Sequence, residues 1–87
     1  MIDNRDRQRF EREENGLLAF ASYRAHDGRY VLTHVEADPK LRGTGAAARL
    51  MEAIVAEARR ARFTLIPRCP YAVAWFARHP EAKDVIG

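Results

Sequence analysis

The stretch Val35-Glu36-Ala37-Asp38-Pro39-Lys40-Leu41-Arg42-Gly43-Thr44-Gly45-Ala46, residues 35–46, reads as a strand end, a short loop with two glycines and the start of a helix. Glycine at 43 and 45 lets the backbone turn tightly and lets a ligand approach it closely. The helix that follows opens with amide N–H groups that have no partner inside the helix. Those amides and the helix dipole favour an anion such as phosphate. Lys40, Arg42 and Arg49 add positive charge nearby. A lone Gly-Thr-Gly also serves as a plain turn, so its strand-loop-helix setting is what gives it weight.

Downstream, Ala46, Ala47, Leu50, Met51, Ile54, Val55 and Ala58 recur at spacings of three and four. They predict one helix from about Thr44 to Arg62 with a single apolar face. Arg59, Arg60 and Arg62 crowd its last turn, where positive charge suits the dipole. Phe63 to Pro67 reads as a strand, and a strand-helix-strand crossover normally sets its two strands parallel. Arg68-Cys69-Pro70 breaks that strand. Pro70 suits the first position of a short helix holding Tyr71, Val73, Ala74, Trp75 and Phe76 and ending near Arg78-His79-Pro80. Packed, the aromatics join the core. Exposed, they form a dimer surface or line a pocket. Glu81 to Gly87 reads as a tail.

Upstream, Arg29 to Val35 is a strand preceded by the turn Ala25-His26-Asp27-Gly28. Gly16 to Arg24 is another, preceded by the turn Glu13-Glu14-Asn15-Gly16. Asn-Gly and Asp-Gly are favoured hairpin dipeptides. Arg9 to Arg12 places one aromatic, Phe10, among charges and suits an edge strand. Met1 to Arg7 is a polar lead-in. The expected fold is mixed α/β (α+β): a three-stranded antiparallel meander, a long helix, a parallel fourth strand and a short C-terminal helix.

At 87 residues the chain is expected to form one domain, residues 1–87. A chain this short buries only about 60–65% of its unfolded surface, so its core is modest. The net charge of +3 is spread along the chain rather than gathered in one block. That suits an anionic cofactor or a solvated surface, and it lacks the dense basic stripe expected of a nucleic-acid binder. Cys69 stands alone, so no internal disulfide is possible. Paired Cys/His spacing is absent, so no metal site is expected. No apolar run approaches the roughly 20 residues of a membrane span. The charged N-terminus is unlike a secretory signal, which makes the cytoplasm the expected compartment.

Cys69 draws attention first among the reactive side chains. With Pro70 as the first helical residue, its thiol occupies the N-cap and faces the positive end of the dipole, which favours the nucleophilic thiolate. A free cysteine is equally a small buried apolar residue. His34, on the strand leading into the loop, could be a general base or a satisfied structural residue. Glu36, at the strand end, is an alternative base acting through water. Tyr71 is a candidate general acid, or packs with its hydroxyl satisfied. His26 lies in a turn, and His79 suits capping of helix carbonyls.

Lys40-x-x-Gly43-x-Gly45 resembles the acyl-CoA pyrophosphate loop of the GNAT acetyltransferases, usually Gln/Arg-x-x-Gly-x-Gly/Ala, with Lys40 keeping a donor at the Gln/Arg place. Val35, Pro39, Arg42-Gly43-Thr44-Gly45, Pro67, Cys69-Pro70-Tyr71 and His79-Pro80-Glu81 together look like the small single-domain GNAT-like family. The resemblance runs from about Arg9 to Glu81. It implies a GNAT-like fold that binds acetyl-CoA or coenzyme A. The strand holding Val35 would pair with the pantetheine arm, and the amides from Arg42 through Gly43, Thr44 and Gly45 to Ala46 would hold the pyrophosphate. Lys40, Leu41 and Arg49 complete the implied cofactor site. Cys69 would lie near the CoA thiol.

The implied activity is acetyl transfer to an amine, a small molecule or a protein lysine. In direct transfer, His34 or Glu36 deprotonates the amine. In a covalent route, Cys69 takes the acetyl group first. Full GNAT domains build much of the acceptor site from N-terminal helices for which this chain has no room. The alternative is therefore a non-catalytic CoA-binding or protein-interaction module. A nucleic-acid accessory domain is a third reading, resting on the basic charge alone.

Overall fold

The computed structural model describes residues 1–87. Its sheet begins with β1 (Ile2–Asn4), β2 (Arg9–Glu14), β3 (Leu17–His26) and β4 (Arg29–Ala37). Asn15-Gly16 and Asp27-Gly28 join β2 to β3 and β3 to β4. All four residues have positive φ, from 50° to 77°. Two consecutive positive-φ residues make the tight turn whose twist matches that of the flanking strands. Glu13 and Glu14, expected in the first turn, instead extend β2 and pair with Leu18 and Leu17.

The chain then forms a short 3-10 turn (Pro39–Leu41), helix α1 (Ala46–Ala61), β5 (Thr64–Pro67), helix α2 (Pro70–Arg78) and a C-terminal 3-10 helix (Pro80–Val85). The five strands lie in the order β1-β2-β3-β4-β5. Neighbours from β1 to β4 are antiparallel, and β5 is parallel to β4. The sheet therefore has one strand more than its sequence pattern predicts. Ile2 and Asn4 pair with Glu11 and Arg9, so β2 is not an edge. Three residues carry no readable alternation. β1 is secured from a distance, where the Tyr23 hydroxyl donates to Asp3 Oδ1 at 2.5 Å. The expected tail is also structured: Ala82 and Val85 are buried, and Ile86 bridges to Leu65.

One core joins the sheet to both helices. Phe10, Ala19, Ala21, Tyr23 and Leu32 face Leu50, Met51, Ile54, Val55 and Ala58 of α1. Alanine at 19 and 21 leaves room for α1 to lie close to β3. Leu50, Met51 and Ile54 are fully buried. Each contributes about 1.5–3 kcal/mol by leaving water. Helix α1 stops at Arg62, a left-handed residue (φ 62°) whose N–H donates to Ala58 O. By alternation, Arg9, Glu11, Phe20, Ser22, His34 and Glu36 occupy the opposite face, where Arg9 lies 4.5 Å over the Phe20 ring. No helix is long and apolar enough to cross a membrane.

Candidate functional site

Two irregularities in β4 open the site. Leu32 pairs with Tyr23 while His34 pairs with Ser22, so Thr33 is an extra residue on β4. Such a bulge bends a strand and resets which side chains face inward. Tyr30 and Leu32 point to the core before it. Val35 and Ala37 do so after it, leaving His34 and Glu36 exposed. Meanwhile β5 pairs with β4 only from Arg29 to Leu32. The Leu32 carbonyl then accepts from Arg68 N–H (3.0 Å) and Cys69 N–H (3.2 Å), and the two strands part. Beyond Leu32, β4 has β3 on one side and no strand on the other.

A cleft of about 440 Å³ fills this opening. His34, Val35, Glu36 and Ala37 supply the β4 wall. Leu41, Arg42, Gly43, Gly45, Ala46, Ala47 and Ala48 supply the loop and first turn of α1, and Tyr71 of α2 also lines it. The loop is held by its own contacts. Asp38 accepts the Lys40 N–H at 2.9 Å, and the Thr44 hydroxyl donates to Leu41 O at 2.5 Å. Gly43 and Gly45 have φ of 80° and 86°, which side chains rarely adopt. Gly45 is the N-cap of α1 and offers no side-chain cap. The first amide bonded within the helix is Arg49 N–H, to Gly45 O at 3.0 Å. Of the loop amides expected to hold pyrophosphate, Arg42 N–H is already bonded to Pro39 O (3.3 Å) and Thr44 N–H to Leu41 O (3.1 Å), because the loop is wound into tight turns. Those of Gly43, Gly45 and Ala46, with Ala47 and Ala48 of the first helical turn, are left for an anion, with the dipole behind them.

His34 Nε2 lies 2.9 Å from Glu36 Oε1. When that nitrogen carries the proton and donates to the carboxylate, Nδ1 is left as an acceptor. Burial raises the Tyr71 hydroxyl above its ordinary pKa, with Arg78 pulling weakly the other way. Tyr71 thus keeps its proton at neutral pH.

The residues singled out in the sequence fall into two groups. His34, Glu36, Val35, Leu41, Arg42, Gly43, Gly45 and Ala46 meet in the cleft. Lys40, Thr44, Arg49 and Cys69 do not line it. Thr44 is turned to Leu41. The Arg49 guanidinium is bound by Glu14 through Nε and Nη2, each at 2.8 Å. Cys69 is the N-cap of α2, 6% exposed, and its Sγ accepts the Ala72 N–H at 3.3 Å. His26, expected in the turn, instead ends β3 opposite Arg29, because only Asp27-Gly28 is needed to reverse the chain, and it lies 3.2 Å from Asp27. His79 binds Trp75 O through Nδ1 at 2.7 Å. Trp75 and Phe76 are buried. The alanines at 37, 47 and 48 were not anticipated as lining. The run of small residues after Gly45 was the available signal, because small side chains leave a helix start open.

A parallel strand pair that splays beside a glycine loop and an uncapped helix start makes this a GNAT-like fold. The chain belongs to the GCN5-related N-acetyl-transferase family, whose model matches residues 9–85. A search of curated proteins finds no match to the chain.

Proposed function

We propose that the protein is an acetyl-CoA-dependent N-acyltransferase that transfers the acetyl group directly to an amine. One observation carries this reading. A single cleft joins the unbonded amides of Gly43, Gly45 and the first turn of α1 to the His34–Glu36 pair and to Tyr71. The residues fit the cofactor. Positive φ at both glycines, uncapped amides and the Arg42 guanidinium suit phosphates, and the unpaired side of β4 suits an amide-bearing arm.

Acetyl-CoA would supply the activated acyl group as a thioester. His34, held by Glu36, takes a proton from the attacking amine as the N–C bond forms. Tyr71 gives a proton to the sulfur as the C–S bond breaks. The exposed carboxylate of Glu36 also favours the approach of a cationic amine. The buried sulfur of Cys69, engaged with Ala72, supports direct transfer over a covalent cysteine intermediate.

Calorimetric titration with acetyl-CoA, followed by CoA release with a panel of amines and a lysine peptide, tests the proposal. Micromolar binding and steady release are expected. No binding of CoA esters would sink it. A second reading, a CoA-binding module without turnover, is favoured by the exposure of His34 and Glu36 on a sheet face that α1 and α2 do not cover. Binding with no release across the panel would establish it.

A further inference from the structure

Glu14 ends β2, 35 residues before Arg49 in the chain. Its carboxylate grips the Arg49 guanidinium on one edge, Nε to Oε2 and Nη2 to Oε1, each 2.8 Å. A two-point grip fixes the plane of a guanidinium as a single bond does not. The nitrogen left over is Nη1, and it lies beside the loop: a Cβ on residue 45 would stand 3.0 Å from it. Glycine at 45 is favoured by its φ of 86°, and a side chain there would also crowd the Arg49 guanidinium. Arg12 also donates to Glu14 Oε2. Glu14 is thus shared by two guanidiniums, while Glu52, one helical turn along, also acts on the charge of Arg49.

We propose that Glu14 is a positioning residue for the cofactor: it orients Arg49 so that Nη1 is presented at the Gly45 end of the loop as a donor to a cofactor phosphate. The inference rests on the acetyl-CoA reading above. A carboxylate near a phosphate site is unfavourable by charge alone, a cost that fixing the Arg49 donor in place would offset.

The test is calorimetry with coenzyme A and with adenosine 3′,5′-bisphosphate, which carries phosphates but no pantetheine arm. Wild type, Glu14→Gln, Glu14→Asp, Arg49→Gln and the Glu14→Gln/Arg49→Gln double variant are compared, with folding checked by ligand-free melting. Arg49→Gln is expected to bind coenzyme A about tenfold more weakly, the loss of one charge-assisted bond. Glu14→Gln and Glu14→Asp should each lose several-fold in affinity. The double variant should bind no more weakly than Arg49→Gln alone. The bisphosphate should show the same order, which places the loss at the phosphates and not at the pantetheine arm; a purely structural tie would instead track the ligand-free melting temperatures of the variants. Unchanged or tighter binding in a folded Glu14 variant, or additive losses in the double variant, would overturn the positioning role. Failure of wild type to bind coenzyme A would instead remove the acetyl-CoA reading itself.

Discussion

The N–H of Cys69 donates to the carbonyl of Leu32 at 3.2 Å, on the same oxygen that takes the Arg68 N–H. This bond ends the β4–β5 pairing. The backbone of Cys69 therefore sits where the strands begin to part, while its sulfur is turned to the Ala72 N–H and buried.

The thiol is accordingly expected to work as a helix cap. Cys69→Ala should cost about 1 kcal/mol, the usual range for a lost N-cap. That lowers the melting temperature by about 4–8 °C in a domain of this size. Coenzyme A affinity and acetyl transfer should stay at wild-type levels. A folded Cys69→Ala variant that binds coenzyme A yet transfers nothing would restore the covalent route.

The two loop glycines should respond differently. A Cβ at Gly43 meets no atom within 4 Å, whereas one at Gly45 meets Arg49. Gly43→Ala should cost about 1–2 kcal/mol, the strain of a left-handed residue. Gly45→Val should cost more and also displace the Arg49 guanidinium. Melting curves and coenzyme A titrations check both. Undiminished affinity in Gly45→Val would show that the loop does not hold the phosphates.

His34→Gln and Tyr71→Phe should each lower kcat by about 10²–10⁴, as removal of a general base or acid does. The dissociation constant for coenzyme A should not move, because neither side chain faces phosphate in this proposal. Because burial raises the Tyr71 pKa, its proton is retained through the neutral range and into alkaline solution. A Tyr71-dependent fall in rate must therefore lie above pH ~10, the ordinary tyrosine value. Such a fall at lower pH would contradict its role as the acid.

Glu14 also carries a pH signature in stability. The hydrogen bond from Arg49 holds its carboxyl below the ordinary glutamate value, with the charges of Arg49 and Arg12 acting the same way. A pKa lowered on folding means that the ionised group stabilises the fold above its unfolded value, about 4.3. That contribution is lost as the pH falls through the folded value. Wild type should therefore melt above Glu14→Gln at pH 7, with the difference closing in acid. Melting across that range measures it, and a gap that persists at low pH would place the effect outside the ion pair.

Much of the fold is local and was legible. Asn15-Gly16 and Asp27-Gly28 are hairpin dipeptides, and they form the β2–β3 and β3–β4 turns. The spacing of Leu50, Met51, Ile54, Val55 and Ala58 marks α1 within two residues at its start and one at its end. Pro70 marks the first residue of α2, with Cys69 as its cap. Each signal depends on neighbours along the chain. The N-terminal strand and the C-terminal 3-10 helix lacked such signals. β1 is fixed by pairing with β2 and by Asp3 meeting Tyr23, and the last turn by the burial of Ala82 and Val85.

The sequence by itself determined β2 to β5, α1 and α2, their order and the glycine loop with its helix, because turn geometry and periodicity are written in adjacent residues. It also brought His34 and Glu36 to one strand. Only the tertiary structure decided that β5 leaves β4 at Leu32, that Tyr71 lines the resulting cleft while Cys69 turns away, and that Glu14 grips Arg49. Those relationships join residues far apart in the chain. They are set by where the sheet and helices pack, which no local pattern encodes.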